Sequence, residues 1–158
     1  ATLIASLCEE AQSMVVGQRL RCEAASDLAP LRADADRLKQ VLLILLDNAL
    51  KFTPAGGDVV VSARRADDGP FALLEVADTG VGIPPEEAPY VFDRFYRVDP
   101  ARATQRAGGS GLGLAIARSL MEAQGGSIGL ASALGSGTTM TARIPLWPDA
   151  PPDAATPA

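Results

Sequence analysis

The sequence predicts an α+β fold, a two-layer α/β sandwich. Its sheet is mixed and mostly antiparallel, of about five strands, with about three helices on one face. Three observations predict it. Segments with apolar residues at helical spacing alternate with short β-branched runs, so helices and strands interleave. The strand-like runs 58–65 and 71–77 meet at Asp67-Asp-Gly-Pro70, and the runs 127–133 and 137–146 meet around Gly135-Ser-Gly137. Such connections make antiparallel hairpins rather than a doubly wound parallel sheet. The 158 residues suit one domain and can bury a core.

Each element has a local reason. Residues 2–16 place Leu3, Leu7, Ala11, Met14 and Val15 on one helical face, and Gly17 ends that helix. Residues 19–25 read as a short strand. Leu31 to Ala33 reads as another after a turn at Asp27–Pro30. Asp34 or Asp36 caps a strong helix over 35–51 with a core stripe of Leu38, Val41, Leu42, Leu45, Ala49 and Phe52. Thr53-Pro-Ala-Gly-Gly57 breaks it. Tyr90-Val-Phe-Asp-Arg-Phe-Tyr-Arg97 reads as a short amphipathic helix. Residues 98–110 have no core-forming pattern and read as a mobile loop. Leu112 to Gln124 reads as a helix with Leu112, Ala115, Ile116, Leu120 and Met121 inward, closed by Gly125-Gly126. The expected organisation is a helix and first strand over 1–29, a core over 30–147 with a lid at about 85–110, and a disordered Pro/Ala-rich tail over 148–158.

Composition narrows the function. Net charge is −5, so no basic field attracts nucleic acid or anionic lipid. No apolar run reaches membrane-spanning length and no secretory leader is visible, so a cytoplasmic location is expected, alone or as the cytoplasmic part of a membrane-bound sensor. Cys8 and Cys22 form no Cys-x-x-Cys pair and are expected to be reduced thiols. The chain has no histidine. That removes histidine metal sites, general bases and phosphoacceptors from within it.

Four places carry chemistry. In Asp78-Thr-Gly-Val-Gly-Ile-Pro84, a strand delivers one carboxylate into a turn. Gly80 and Gly82 let another molecule approach the backbone, and Ile83 adds an apolar face. An acceptor beside an apolar slot suits a flat heterocycle with an exocyclic amino group, such as adenine. The plain alternative is a strand end with an Asx-type turn. On the helix 35–51, Ile44, Asn48 and Lys51 share one face. The Asn48 oxygen suits a hard cation such as Mg²⁺, and Lys51 suits phosphate. Asparagine is disfavoured inside a helix, which argues against a merely solvent-facing amide. In Gly108-Gly-Ser-Gly-Leu-Gly-Leu114, glycines and a helix N-terminus let backbone N–H groups converge on an anion. This is neither the dinucleotide fingerprint nor a Walker loop. Finally, Arg94, Arg97, Arg102 and Arg106 follow Phe92 within one segment that could reach a polyphosphate, although for Arg102 and Arg106 a solvated loop is the better reading.

Four stretches then occur in a telling order: Asp47-Asn-Ala-Leu-Lys-Phe-Thr-Pro54, Asp78–Pro84, Val91-Phe-Asp-Arg-Phe-Tyr-Arg97 and Gly109-Ser-Gly-Leu-Gly-Leu114. Together they resemble the asparagine, first glycine, phenylalanine and second glycine boxes of the catalytic domain of sensor histidine kinases. That family sits within the wider group of gyrase, heat-shock chaperone and mismatch-repair ATPases, and the resemblance covers about residues 30–146. It implies a Bergerat-type sandwich holding ATP and Mg²⁺ under a lid. By the family's pattern Asp78 binds the adenine amino group, with Gly80, Gly82 and Ile83 around it. Phe52 lines the adenine side and Thr138 assists the base. Asn48 holds Mg²⁺, and Lys51, Arg94 and Arg97 approach the phosphates. Ser110, Gly111, Leu112, Gly113 and Leu114 close on them.

One position departs from the pattern. Most histidine kinases carry an asparagine four residues before the one matching Asn48, and this chain has Ile44. Isoleucine can neither ligate Mg²⁺ nor act as the base that activates water in the chaperone branch. The resemblance implies a domain, monomeric in isolation, that transfers the γ-phosphate of ATP to a histidine on a helical dimerisation domain, with a response regulator downstream. The rival expectations are a non-catalytic nucleotide-binding module, favoured by Ile44, and a serine kinase of the anti-sigma-factor type.

Overall fold

A computed structural model describes residues 2–97 and 111–147. The order is α1 (Thr2–Gln12), β1 (Arg19–Ala24), α2 (Ala35–Phe52), β2 (Asp58–Arg65), β3 (Phe71–Asp78), a 3-10 turn at Ala88–Tyr90, α3 (Gly113–Glu122), β4 (Ser127–Ala133) and β5 (Gly137–Pro145). The five strands form one sheet in the order β1-β2-β3-β5-β4. β1 runs parallel to β2, and the other pairs are antiparallel. This is the α+β sandwich that the hairpins and interleaved helices predict. α2 makes the β1-to-β2 crossover, which a parallel pair requires.

The core lies between the sheet and the helices. Val59, Val61 and Ala63 of β2, Ala72, Leu74 and Val76 of β3, and Met140, Ala142 and Ile144 of β5 are buried at alternate positions, as a strand with one covered face requires. Leu38, Val41, Leu42, Leu45, Leu46, Ala49 and Leu50 of α2 are buried against them. Asp34 is the cap of α2, its carboxylate accepting the Arg37 N–H at 3.0 Å. Among the described residues no helix is long and apolar enough to cross a membrane.

Several local expectations fail for identifiable reasons. α1 ends at Gln12, not Val16, because the Ser13 hydroxyl donates to the Glu10 carbonyl at 2.7 Å and competes with the helical ladder. Leu31 makes only an isolated bridge to Leu146 rather than a strand. Residues 90–97 form turns, not a helix: Phe95 sits at φ +64°, which no right-handed helix admits. On α3 the buried residues are Ala115, Ala117 and Met121, while Ile116 is 41% exposed. The small Ala117 is what fits at the closest packing, and that rotates Ile116 outward. Cys8 and Cys22 are joined in a disulfide, with Cα atoms 6.4 Å apart, rather than standing as two thiols. Sequence spacing hid this because the pairing is made by the fold. Leu20 and Cys22 sit opposite Val59 and Val61 in register, on the face that α1 covers. The expected tail and the segment 98–110 lie outside the described residues.

Candidate nucleotide site

Asp78 is the last residue of β3, opposite Val59 on one side and Thr138 on the other. Its Oδ1 accepts the Gly80 N–H at 2.9 Å and the Thr138 N–H at 3.3 Å. Oδ2 takes neither bond. Burial pushes the Asp78 carboxyl above its usual range, and the two N–H groups oppose that shift. The strand end is itself pinned, since the Thr79 hydroxyl accepts the Asp58 N–H at 2.9 Å.

The loop after Asp78 is closed by backbone. The Val81 N–H donates to the Phe52 carbonyl at 3.2 Å, and the Gly135 N–H donates to the Val81 carbonyl at 2.8 Å. A Cβ on Gly80 would strike the Phe52 carbonyl. Gly82 has φ +73°, and a Cβ there would run into the Ala133 carbonyl. These two glycines therefore make room for the protein's own chain on their Cβ sides. Ile83, 9% exposed, gives its N–H to the Ser132 hydroxyl at 2.8 Å.

The helix α2 acts as a ruler between two ends of the site. At residue 52 its carbonyl meets the Gly80–Val81 turn. At residue 44 the Ile44 side chain lies against Gly113, where an added Cβ would sit 3.3 Å from its Cγ2. Asn48 lies midway, four residues from each, and a helix rises about 6 Å over four residues. Asn48 is half-buried, and its amide makes no side-chain hydrogen bond to the described residues. Lys51 pairs with Asp47 at 2.8 Å. As the basic residue of the last turn it also offsets the helix dipole. Phe52 is half-buried at the helix end.

The far end is built by the turn 91–97 and the start of α3. Val91 and Phe92 are buried in the core cluster. Residues 91–92, expected within the lid, are thus anchored, and the Arg118 guanidinium lies 5.9 Å from the Phe92 ring centroid. Phe95, by contrast, is 72% exposed. Its N–H donates to the Gly111 carbonyl at 3.0 Å. Gly111 adopts φ +73° directly beside the Phe95 backbone. Arg94 and Arg97 are exposed, while Leu112, Gly113 and Leu114 are half-buried at the opening of α3. Ser110, Arg102 and Arg106 lie outside the described residues. Among the described residues no group of three His, Cys, Asp or Glu could hold a metal. The fold therefore brings Asp78, Ile83 and Thr138 together at the sheet end, with Phe52, Asn48 and Ile44 leading from there to Gly113. Sequence reasoning missed Ser132 and Thr79. The register of the last hairpin would have revealed Ser132, which lies opposite Thr138.

Residues 33–148 match the model of the histidine kinase-, DNA gyrase B- and HSP90-like ATPase family. The chain belongs to that family. This ATPase-family domain binds ATP by membership, and the four boxes read in the sequence fall inside the matched span. It is 46% identical over 112 residues to the sensor histidine kinase WalK of Bacillus subtilis, covering 71% of this chain and 18% of the relative. It is 44% identical to the sensor protein SrrB of Staphylococcus aureus, covering 71% and 19%. The chain thus spans under a fifth of those relatives. The solved structure of the mycobacterial sensor histidine kinase MprB superposes with TM-score 0.77 at 32% identity, covering 91% of this chain and 93% of that one. Full-length ShkA in complex with AMPPNP gives TM-score 0.79 at 34% identity, covering 96% and 31%.

Proposed function

We propose that this domain is the catalytic, ATP-binding part of a sensor histidine kinase, presenting the γ-phosphate of ATP to a histidine on a separate helical dimerisation domain, with a response regulator downstream. The observation that carries this reading is Asp78. Its carboxylate is held at a strand end by two backbone N–H groups on one oxygen, with Ile83 and Thr138 beside it. That leaves an oriented acceptor for the adenine amino group, and a charge-assisted bond of this kind contributes about 1.5–3 kcal/mol.

The rest of the site follows from the α2 ruler. With the base at the Gly80 end, the phosphates lie toward Asn48 and Gly113. Lys51 exchanges a half-buried Asp47 partner, worth about 0.3–0.5 kcal/mol as a helix pair, for phosphate oxygens. Arg94 and Arg97 add positive charge, and the backbone of Gly111 to Leu114 meets the terminal phosphates. The donor set suits Mg²⁺, because the half-buried Asn48 amide makes no side-chain hydrogen bond to the described residues. Mg²⁺ commonly takes one or two protein ligands plus phosphates and water. Bound there, the ion would neutralise charge on the phosphates. Phosphoryl transfer asks mainly for such positioning and charge neutralisation. With no histidine in the chain, the acceptor comes from another domain.

A second reading, a nucleotide-binding module without transfer activity, is favoured by Ile44. It occupies the position of the usual first asparagine and packs against Gly113. Radiolabelled ATP mixed with this domain and a histidine-bearing dimerisation hairpin separates the two. Transfer predicts an acid-labile, alkali-stable label on the hairpin, rising with concentration, and none on this chain. A hairpin left unlabelled at high concentration while ATP demonstrably binds selects the module. An acid-stable label on a protein partner would select the serine-kinase alternative.

A further inference from the structure

Resting on the reading that Asp78 takes the adenine amino group, we infer that Ser132 is a positioning and specificity residue that sets the Thr138 hydroxyl as a hydrogen-bond donor to the adenine edge. Ser132 lies on β4, opposite Thr138 in register. Its hydroxyl oxygen accepts the Ile83 N–H at 2.8 Å, lies 2.8 Å from the Thr138 hydroxyl and 3.0 Å from the Gly137 carbonyl. One side chain thus ties together the loop after Asp78, the base of β5 and the residue beside the carboxylate.

Proton counting gives this cluster two arrangements. A serine hydroxyl has one proton and two lone pairs. Ile83 uses one lone pair. If the Ser132 proton goes to the Gly137 carbonyl, Thr138 must donate to Ser132, and its oxygen offers a ligand lone pairs only. If the Ser132 proton goes to Thr138, the Thr138 proton is released for a ligand. Thr138 is 7% exposed, and its N–H is on Asp78 Oδ1, so its hydroxyl is carried on the residue bonded to the carboxylate. Adenine presents a donor at its 6-amino group and an acceptor at N1. An Asp78 acceptor beside a Thr138 donor complements that edge, directly or through one water. Guanine presents the reverse order and fails at both positions. Nucleotide binding selects the second arrangement, and a hydroxyl that accepts from Ser132 is polarised into a better donor. Asp78 then reads the amino group, and Ser132 acting through Thr138 reads N1.

The test compares ATP with 1-deaza-ATP, in which N1 is replaced by C–H, by calorimetric titration of the wild-type domain, Ser132→Ala and Ser132→Thr. Wild type should bind ATP roughly three- to tenfold more tightly than the deaza analogue, the span of one neutral hydrogen bond. Ser132→Ala should shrink that preference below about twofold, and Ser132→Thr, which keeps the hydroxyl, should restore it. If Ser132→Ala does not fold, Ser132→Cys, a weak donor, reads the same ratio. A variant that weakens both nucleotides by one factor, leaving the ratio unchanged, shows that Ser132 only braces Ile83 and overturns the inference. So does a wild type that binds the two equally, and that result leaves the Asp78 reading standing. A wild type that binds ATP and GTP alike overturns both.

Discussion

The two ends of the site are built differently. At the proposed base end, Asp78, Ile83, Ser132 and Thr138 are buried or half-buried; the Gly80 and Thr138 N–H groups fix the Asp78 carboxylate, and the Ser132 hydroxyl takes the Ile83 N–H and lies against the Thr138 hydroxyl. At the proposed phosphate end, Asn48 and Lys51 stand on one face of α2, where Lys51 pairs with Asp47, and the apolar Ile44 lies against Gly113. The frame of the base end is a product of sheet register, and on the inference above the nucleotide selects only its hydroxyl protons. The other end combines side chains along α2 with the turn 91–97 and the start of α3, and on the proposed function the ligand's own charges would complete it. On the proposed function, recognition of the nucleotide would reside in the sheet and its chemistry in the helix.

That contrast breaks first at Asp78. Asp78→Asn should weaken ATP by about ten- to a hundredfold, a loss of roughly 1.5–3 kcal/mol, read by calorimetry. The same substitution should not lower the melting temperature at neutral pH. Burial raises the folded-state pKa of Asp78 above its unfolded value, so the folded chain holds that proton more tightly. The resulting stability is complete below the unfolded pKa and is lost as pH rises through the folded one. At neutral pH the ionised carboxylate is a cost that asparagine removes. ATP affinity should run the other way with pH, falling as acid protonates Asp78. A variant that keeps ATP affinity, or that unfolds at neutral pH, would show Asp78 to be structural.

The second prediction separates the ends. Asn48→Ala should weaken Mg·ATP about fivefold, near 1 kcal/mol, and leave adenosine binding unchanged, as titration of both ligands would show. Equal loss for both would mean that the helix is bracing the base end. A smaller effect, of opposite sign, is expected at Ile44. Ile44→Asn should speed transfer to the hairpin by a few-fold and leave adenosine affinity alone, while costing about 1 kcal/mol of stability from the lost apolar contact, measured by kinetics and denaturant titration. The smallest effect on nucleotide should come from reducing the Cys8–Cys22 bond, which joins α1 to β1 away from both ends. Closing a loop of this size contributes about 3 kcal/mol to stability on the chain-entropy account. Reduction should therefore lower the denaturation midpoint and leave ATP affinity intact.

The legible parts of this molecule were those fixed by short sequence patterns. The hairpins announced themselves through Asp67-Asp-Gly-Pro70 and Gly135-Ser-Gly137, and α2 through its apolar stripe and the Asp34 cap. Asp78 was legible because a strand ran straight into a glycine-bearing turn. Features made by tertiary contact were not. Nothing near Cys22 in sequence points to Cys8. Phe95 reads as helical until its left-handed backbone is seen against Gly111. The glycines after Asp78 suggested space for a ligand, and their neighbours proved to be the Phe52 and Ala133 carbonyls. Ser132 carries no motif and becomes visible only across the strand pair.

The most direct measurement is a calorimetric titration of the wild-type domain with ATP and with GTP under the same Mg²⁺ concentration. Asp78 faces a donor in adenine and an acceptor oxygen in guanine, so ATP should bind and GTP should be weaker by at least about tenfold, the worth of one charge-assisted bond. Equal affinities would contradict the assignment of Asp78 as the reader of the base and, with it, the division of the site into a sheet end that recognises and a helix end that acts.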